Sequence, residues 1–276
     1  MHIAEKPGKG TVFSIEYTDW HQSLKMLLKK SGLADRLKDR QRILIKPNLV
    51  EAMKPPITTP VALIGSLVDL LRQLAPHCAI TIGEGCGSAQ DDTWHVFKQL
   101  GYAELAADRK IELLDLNEES CVVRENNNFP RLPEIYLPAV LFDSFLLSVP
   151  VLKAHSLAEV TLTMKNMMGA APPAHYQQGG HWKKASFHSG IHAAIFDLNR
   201  YRTPDFTILD ATVGMAEAHL WGPVCRPAKN KLAAGFDPVA IDAWGATLLG
   251  RDWRNIGHIR LADGVLGSGE FTEVRC

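Results

Sequence analysis

An apolar strand, a polar turn and a helix recur along this chain, and this alternation constrains its fold more than any other feature. The apolar run Arg42–Lys46, for example, precedes a helical pattern that reaches Leu74. Several of the runs are continuously apolar, which is typical of strands that are buried on both faces. We therefore predict an α/β protein with a mostly parallel sheet flanked by helices, built as a single domain over residues 1–276.

The predicted elements follow from the spacing of the apolar residues. The predicted strands are residues 11–17, 42–46, 79–82, 111–114, 134–137, 145–149 and 206–209. The predicted helices are residues 19–31, 60–74, 91–107, 189–201 and 238–249. Thr59-Pro60 and Asp237-Pro238 each place an N-cap residue before a proline, and Ser189 is predicted to cap a third helix. Residues 169–188 show neither period and are rich in Gly, Pro, Ala and His, so we predict a lid or substrate loop there.

The composition argues against several classes of protein. Thirty Lys and Arg residues balance thirty Asp and Glu residues, so no net field attracts nucleic acid or an anionic membrane. No apolar run approaches the roughly 20 residues of a membrane span, and the N-terminus lacks the apolar run of a signal peptide. We expect a cytoplasmic protein that acts on a small molecule. A separate redox partner and a homo-oligomer both stay open.

The cysteines do not form a metal or cluster motif. They are Cys78, Cys86, Cys121, Cys225 and Cys276. None of them belongs to a C-x-x-C pair, so neither an iron–sulfur cluster nor a zinc ribbon is expected in this chain. Reduced, mostly structural thiols are the simplest interpretation. Cys86 stands apart because it lies inside a glycine-rich turn that follows a predicted strand.

Polar side chains stand where the predicted strands end. They are Lys46, Asn48, Glu84, Lys153, His155, Asp210 and Asp237. The carboxyl ends of parallel strands share one edge of a sheet, and open α/β sheets bind their ligands beyond that edge. Cations and amides at this position suit a small anion, a carboxylate or a phosphate, so the sequence predicts an anion site there.

Two lysines carry most of this prediction. Lys46 is the last residue of an apolar strand, and a buried ammonium needs a partner, which is either a bound anion or an internal carboxylate. Lys153 and His155 alternate on extended backbone, so both face the same way and suit an anion clamp with a proton donor. The later pair Lys165-Asn166 is a weaker signal, because a lysine on a helix is usually only a solvated charge.

The roles follow from these positions. We assign ligand binding to Lys46, Asn48, Lys153, Lys165 and Asn166. We assign proton transfer to His155 together with Asp210 or Glu84. Asp237 is more simply a helix cap, and Asp242 either faces a cation or pairs with one of the lysines.

A divalent metal ion is a further hypothesis. His155 and His192, with a carboxylate, are candidate ligands among the five histidines between residues 155 and 192. His188 and His192 have the i, i+4 spacing of a helical metal site, but the glutamate of an H-E-x-x-H motif is absent and the predicted cap at Ser189 leaves His188 outside the helix. No particular cofactor follows from the sequence.

The pattern as a whole resembles the family known as domain of unknown function 362. The matching motifs are Ile45-Lys-Pro-Asn-Leu49, Thr58-Thr-Pro60, Gly83-Glu84, Gly101-Tyr102, Val149-Pro-x-Leu-Lys-x-His155, Thr163-Met-Lys-Asn-x-x-Gly169, His192, Asp197, Asp210-Ala211, Gly222-Pro223 and Asp237-Pro-Val-Ala-x-Asp242. They run from about residue 40 to 250. The resemblance implies an α/β fold and no defined activity. Many members carry ferredoxin-type cysteines that suggest redox chemistry, and this chain lacks them. A more distant similarity, to lactate racemases that hold a nickel pincer nucleotide through Lys and His, is a separate hypothesis.

Three hypotheses about function stay open. The first is an enzyme that acts on a small carboxylated or phosphorylated molecule, with isomerase or oxidoreductase chemistry as the expected classes. The second is a cofactor-binding or redox-accessory module that works with a separate iron–sulfur protein. The third is a structural network in which Lys46, Lys153 and Lys165 pair with Asp210, Glu84 and Asp242, with the active site elsewhere.

Overall fold

The computed structural model describes residues 8–276. The predicted absence of a signal peptide concerns residues 1–7, which lie outside the described residues. The strands are β1 (Thr11–Glu16), β2 (Arg42–Pro47), β3 (Ala79–Glu84), β4 (Glu112–Asp115), β5 (Cys121–Glu125), β6 (Glu134–Pro138), β7 (Phe145–Val149), β8 (Val151–His155), β9 (Glu159–Thr161), β10 (Phe206–Met215), β11 (Lys231–Gly235) and β12 (Thr272–Arg275). The α-helices are α1 (Trp20–Ser31), α2 (Leu33–Leu37), α3 (Val61–Leu74), α4 (Thr93–Gln99), α5 (Tyr102–Arg109), α6 (Val140–Asp143), α7 (Thr163–Asn166), α8 (Pro173–Tyr176), α9 (Ile191–Tyr201), α10 (Pro238–Leu248) and α11 (Gly257–Ala262). Short 3-10 helices span Met167–Ala170, Ala185–His188 and Trp253–Asn255.

In the described part of the chain, ten strands form one mixed sheet. Its order is β12-β1-β11-β10-β7-β2-β3-β4, and β8, which also pairs with β9, lies beside β10. The central strands β10, β7, β2, β3 and β4 run parallel to one another, and β11 runs antiparallel to both of its neighbours. The predicted α/β fold with a mostly parallel sheet is therefore confirmed. Strands β5 and β6 form a separate antiparallel pair.

The sheet is covered on both faces, as its continuously apolar strands predict. Successive residues of a strand point to opposite faces. Leu44 and Leu146 belong to a hydrophobic cluster with α6, α7, α9, α10 and α11, and we call this side the Leu44 face. Ile43 and Ile45 belong to a second cluster with α1 to α5, and we call that side the Ile45 face. Burying both faces gives the sheet the rigidity that a site at its edge requires.

The largest differences from the sequence prediction lie after Pro150. The chain does not leave the sheet there but resumes as β8, and β9 then folds back against it. Beyond β8, the strand β9 is followed by the four-residue helix α7, which carries Lys165 and Asn166. Strand β10 continues through Asp210 to Met215, because β8 offers it a second parallel partner beyond β7.

Smaller differences concern the ends of helices. The predicted helix 91–107 is broken into α4 and α5 at Gly101, whose φ of +79° is left-handed and ends the first helix. Pro60 rather than Thr59 occupies the N-cap position of α3, since the Thr59 hydroxyl is bonded to the backbone of Asn48 and Val149. Gly190 rather than Ser189 precedes α9, whereas Asp237 caps α10 as predicted.

The helices of residues 8–276 are too short or too polar to cross a membrane.

Candidate functional site

A cavity of about 500 Å³ opens at the edge of the sheet where β2, β3 and β8 end. Six of the side chains that the sequence singles out line it, and they are Asn48, Glu84, Lys153, His155, Lys165 and Asn166. They come from four separate stretches of the chain. They meet because β2, β7 and β3 are parallel neighbours, while β8 and α7 pass over their carboxyl ends.

Lys46 lies behind the cavity wall and is already paired. Its Nζ is 2.6 Å from Glu84 Oε1, and both side chains are buried. Glu84 Oε1 also accepts the Gly85 amide at 2.9 Å, and Oε2 accepts the Leu49 amide at 2.9 Å. Three donors thus hold the Glu84 carboxylate, which leaves it poorly placed for proton transfer. Of the two partners predicted for Lys46, the structure contains the internal carboxylate.

Two asparagines extend this network to the cavity surface. Asn166 Oδ1 accepts from Asn48 Nδ2 at 3.0 Å and from Lys46 Nζ at 3.4 Å. Asn166 Nδ2 donates to Ser148 Oγ at 3.1 Å. The loop of α7 is therefore tied to the ends of β2 and β7. The asparagines that the sequence proposes as ligand groups also serve as structural ties.

The network needs glycine at position 169. A Cβ atom there would lie 2.3 Å from Glu84 Oε1 and 2.7 Å from Lys46 Nζ. Both distances are shorter than any real Cβ contact, so a side chain would force the ion pair apart. Gly85 is similarly confined, since its Cβ would lie 2.4 Å from the Gly169 carbonyl oxygen. The close approach of two backbones explains both glycines.

Three lysines line the cavity without a carboxylate partner among residues 8–276. Lys153 Nζ donates to the Ile57 carbonyl at 2.6 Å, and Lys184 Nζ donates to the Ala171 carbonyl and to Asn117 Oδ1. Burial, with the Lys165 charge adding to it, lowers the pKa of Lys153 to about 7. Burial lowers the pKa of Lys184 to about 7 and that of Lys165 to about 8. The cavity is thus lined by three lysines, none of which forms an ion pair with a carboxylate of the described residues.

Three histidines surround these lysines. Burial lowers the pKa of His155, of His188 and of His219, the last to about 4, and the Lys165 charge lowers all three further. The rings of His155 and His219 stack with their centroids 4.1 Å apart. All three imidazoles are therefore neutral at neutral pH, and a neutral imidazole has one nitrogen that donates and one that accepts.

Backbone contacts assign which nitrogen carries the proton in two of them. His155 Nδ1 accepts the amides of Leu157 and Ala158, each at 3.1 Å, so the proton of this ring is on Nε2. His188 Nδ1 lies 3.2 Å from the Ala185 carbonyl oxygen, which can only accept, so this ring has its proton on Nδ1 and a free lone pair on Nε2. His155 can thus donate to a ligand, and His188 can accept a proton from one.

Two buried polar atoms of the cavity lining lack a hydrogen-bond partner among residues 8–276. They are Asn48 Oδ1 and Thr161 Oγ1. A buried polar atom without a partner costs about 1–3 kcal/mol, so such atoms are rare unless a ligand or water satisfies them. The Asn48 oxygen indicates a bound group that carries a hydrogen-bond donor.

The helix α7, which carries Lys165 and Asn166, is held in place from below. Asp242 Oδ1 accepts the Thr163 amide at 2.7 Å, and Oδ2 accepts the Met164 amide at 3.1 Å. Asp242 is fully buried, and burial raises its pKa to about 8 although both amides oppose the shift. Among residues 8–276, Asp242 therefore bonds to the N-terminal amides of α7 and forms no ion pair with a lysine.

Lys184 and His219 belong to the cavity and were not assigned a role from the sequence. Lys184 lies in the aperiodic segment 169–188, and His219 lies in the connection 216–230 between β10 and β11, which has no recognisable motif. The exposed apolar side chains Leu157, Trp182 and Trp221 also line the cavity, on its open side. The only signal for Lys184 and Trp182 was the predicted lid or substrate loop at residues 169–188, and no sequence signal pointed to His219.

Asp210 shares the sheet edge with the cavity but not the cavity itself. It follows Leu209 of the Leu44 face by one residue, so its side chain points to the Ile45 face. There its Oδ1 accepts the amide and the hydroxyl of Thr212, and its charge raises the pKa of Tyr102. Its predicted role in proton transfer at this site has no support from its position.

Asp237 and His192 also lie outside the cavity lining. Asp237 follows the antiparallel strand β11, so it lies at the other edge of the sheet. His192 Nδ1 lies 3.1 Å from His258 Nδ1, beyond the cavity, so His155 and His192 are not both in its wall. Within residues 8–276, no group of three or more His, Cys, Asp or Glu side chains is arranged to hold a metal ion.

The segment 169–188 crosses the cavity and contacts it through several side chains. Its cavity-lining residues are Gly169 at its start, Trp182 in its middle, and Lys184 and His188 towards its end. Its middle, residues 177–182, is exposed, whereas Tyr176 is buried and accepts the Tyr136 amide with its hydroxyl at 2.8 Å. The segment is anchored at both ends, with an exposed stretch between them.

Comparisons with known proteins give a family but no activity. No curated protein matches the sequence. Among solved structures, the chain is similar to the lactate racemase apoprotein from Thermoanaerobacterium thermosaccharolyticum, with a TM-score of 0.48 and 12% identity over 72% of this chain. The match covers 50% of that protein, so the present chain corresponds to about half of it. At this level of likeness the match says nothing about what the present chain binds.

The family model for domain of unknown function 362 matches residues 43–247. The matched region contains β2 to β11 and every side chain of the cavity lining described above. It covers most of the chain, which confirms the resemblance drawn from the motifs. The chain, which has a mostly parallel sheet and a lysine-lined cavity, therefore belongs to the domain of unknown function 362 family.

Proposed function

We propose that this protein is an enzyme that binds a small anionic molecule, a carboxylate or a phosphate, in the cavity at the ends of β2, β3 and β8. The observation that carries the proposal is the set of three lysines, Lys153, Lys165 and Lys184, that line one cavity without an ion-pair partner among the described residues. Unpaired buried charge is costly, and a bound anion would offset that cost.

The lowered pKa values support the same conclusion. An ammonium whose pKa is about 7 is only partly charged at neutral pH. An anion that binds beside it favours the charged form, so binding takes up protons from solution. Affinity should therefore fall as the pH rises above about 8, because each lysine must be protonated at increasing cost.

The two assigned tautomers support proton transfer to and from the ligand. His155 offers Nε2–H as a donor to a developing negative charge, and His188 offers the Nε2 lone pair as a base. A cavity lined by one hydrogen-bond donor and one proton acceptor suits isomerase or oxidoreductase chemistry on a small acid.

Other lining groups restrict the ligand further. The unpaired Asn48 oxygen favours a hydroxyl or amino group near the anion. The apolar side chains Leu157, Trp182 and Trp221 on the open side favour a ligand with an apolar part that reaches toward solvent. Glu84 and Glu217 both line the cavity. Three hydrogen-bond donors hold the Glu84 carboxylate, whereas the Glu217 carboxylate has no such set of donors among the described residues.

Isothermal titration calorimetry of the full chain with inorganic phosphate and with pyruvate tests the proposal. We expect binding at pH 7 with net proton uptake, measured from the dependence of the binding enthalpy on the ionisation enthalpy of the buffer. Each charge-assisted contact contributes about 1.5–3 kcal/mol, so Lys153→Met and Lys184→Met should each weaken binding roughly tenfold to a hundredfold.

Lys98→Met is the matched control, because Lys98 is an exposed residue of α4 outside the cavity. Its affinity for both anions should equal that of the unaltered protein. Equal affinity in all three variants, or binding without proton uptake, would contradict the proposed site.

A further inference from the structure

Lys165 differs from the other two cavity lysines in having no hydrogen-bond or ion-pair partner among residues 8–276, although it lies in the cavity lining. Lys153 and Lys184 are held by carbonyl oxygens, which orient an ammonium. The amine of Lys165 is therefore free to react, whereas the other two are placed to bind.

The backbone under Lys165 is fixed. Asp242 accepts two amides of α7, and Asn199 Nδ2 donates to the Met164 carbonyl at 2.9 Å. A reactive side chain on a rigid and buried support loses little entropy when it meets its target.

We infer that Lys165 is a nucleophile that forms an imine with a carbonyl compound bearing an anionic group, as in a 2-oxo acid. The inference rests on the proposed anion site, because Lys153 and Lys184 would hold the anionic group while Lys165 meets the carbonyl carbon.

Burial activates this amine, and a second lysine lies near it. A lysine becomes a good nucleophile at neutral pH when it is desolvated or lies next to another cation. Burial lowers the pKa of Lys165 to about 8, and Lys153 lies close enough for the two charges to interact. His155, His188 and His219 line the same cavity and are neutral, so they add no charge that would alter this balance at neutral pH.

The step balances with groups that are present. The lone pair of neutral Lys165 Nζ forms a bond to the carbonyl carbon, while the carbonyl oxygen accepts a hydrogen bond from His155 Nε2–H, as a neutral imidazole can polarise a carbonyl. Both protons of Nζ are transferred to the carbonyl oxygen, one of them by way of His188 Nε2. The carbon–oxygen bond then breaks, and the oxygen leaves as water. The products are the imine and one water molecule, with no change in oxidation state.

The test is reductive trapping on the full chain. The protein is incubated with pyruvate and sodium cyanoborohydride, which reduces an imine to a stable amine, and the modified residue is located by peptide mass spectrometry. Methyl pyruvate, which lacks the charge, is the matched probe. We expect a single adduct on Lys165, formed about tenfold to a hundredfold faster with pyruvate than with methyl pyruvate because of its charge-assisted contact.

Lys165→Arg keeps the charge but cannot form an imine, and Lys98→Arg is the control at an exposed position. The adduct should disappear in the first variant and persist in the second. Peptide mapping of the unaltered protein locates the adduct even if Lys165→Arg does not fold.

An adduct confined to Lys165 and slowed by excess phosphate supports the inference. Labelling that spares Lys165, or that spreads over exposed lysines at equal rates with both probes, overturns it. Calorimetry on the same sample separates the two proposals. Pyruvate binding with proton uptake but without an adduct would support the anion site and contradict the imine. The absence of binding would contradict both proposals.

Discussion

Lys46 Nζ lies 2.6 Å from Glu84 Oε1 at the carboxyl ends of two neighbouring parallel strands, and neither side chain reaches solvent. Burial lowers the pKa of Lys46, and the Glu84 carboxylate opposes that shift. Glu84 lines the cavity, and its ion pair with Lys46 occupies a lysine that would otherwise be available to bind an anion. The free cations of the site are therefore those supplied by β8, α7 and the segment before α9.

Replacing Lys46 by Met should destabilise the protein by about 3–5 kcal/mol, because it leaves the Glu84 carboxylate buried without its cation. Urea unfolding at pH 7 measures the loss. The double variant Lys46→Met with Glu84→Gln should recover part of it, since no net charge remains buried. If Lys46→Met were as stable as Lys98→Met, the pair would have no structural role.

Gly169→Ala should cost about 1–3 kcal/mol through overpacking, because its Cβ would lie 2.3 Å from Glu84 Oε1. Gly87→Ala is the matched control, since a Cβ there would find its nearest neighbour at 3.5 Å, which is ordinary contact. Thermal unfolding compares the two. Equal midpoints would mean that the backbone at Gly169 moves away without cost.

The free energy of unfolding should depend on pH through Lys153. Its folded pKa of about 7 lies below the ordinary 10.5, so between these values the unfolded chain binds more protons and stability rises with pH. The slope from one such group is at most about 1.4 kcal/mol per pH unit. Lys153→Met should flatten the rise relative to the unaltered protein in urea titrations from pH 7 to 10.

The quantity to compare is the difference between Lys153→Met and the unaltered protein in how the free energy of unfolding depends on pH. Lys184 and Lys165 have lowered pKa values and act in the same direction, whereas Asp242, whose pKa is raised to about 8, lowers stability as the pH rises toward 8. These groups remain in both proteins and largely cancel. Parallel curves would show that Lys153 keeps its ordinary pKa.

Asp242→Ala should both destabilise the protein and weaken phosphate binding. It leaves two buried amides of α7 without an acceptor, at about 1–3 kcal/mol each, and frees the helix that carries Lys165 and Asn166. Asp242→Asn, which keeps one acceptor, should fall between Ala and the unaltered protein in both urea unfolding and calorimetry. An affinity unchanged in Asp242→Ala would show that α7 needs no support from α10.

Limited proteolysis should cut the segment 169–188 within its exposed stretch, residues 177–182. If Trp182 covers a bound ligand, saturating phosphate or pyruvate should slow the cleavage by a nonspecific protease, because closure removes the stretch from solvent. The same rate of cleavage with and without ligand would identify a fixed wall of the cavity rather than a lid.

The parallel core and its edge could be predicted from the sequence because strand and helix periods are local properties. Lys46, Lys153 and Asp210 were expected at one edge, and β2, β8 and β10 do end or pass there. The burial of Lys46 was also predictable, since it closes an apolar strand. Family membership likewise follows from motifs that can be read along the chain.

The partners of those side chains could not be predicted. Whether Lys46 meets a ligand or Glu84 depends on the register of β2 against β3, and whether Asp210 faces the cavity depends on which face of β10 is turned toward it. Lys184 and His219 enter the site from segments without periodicity, so no local pattern places them. Strand and helix periods depend on neighbours in the sequence, whereas the charge balance of the cavity depends on distances between residues far apart in it. Only the tertiary structure therefore decided that Lys46 has a carboxylate partner, and that Lys153, Lys165 and Lys184 have none among the described residues.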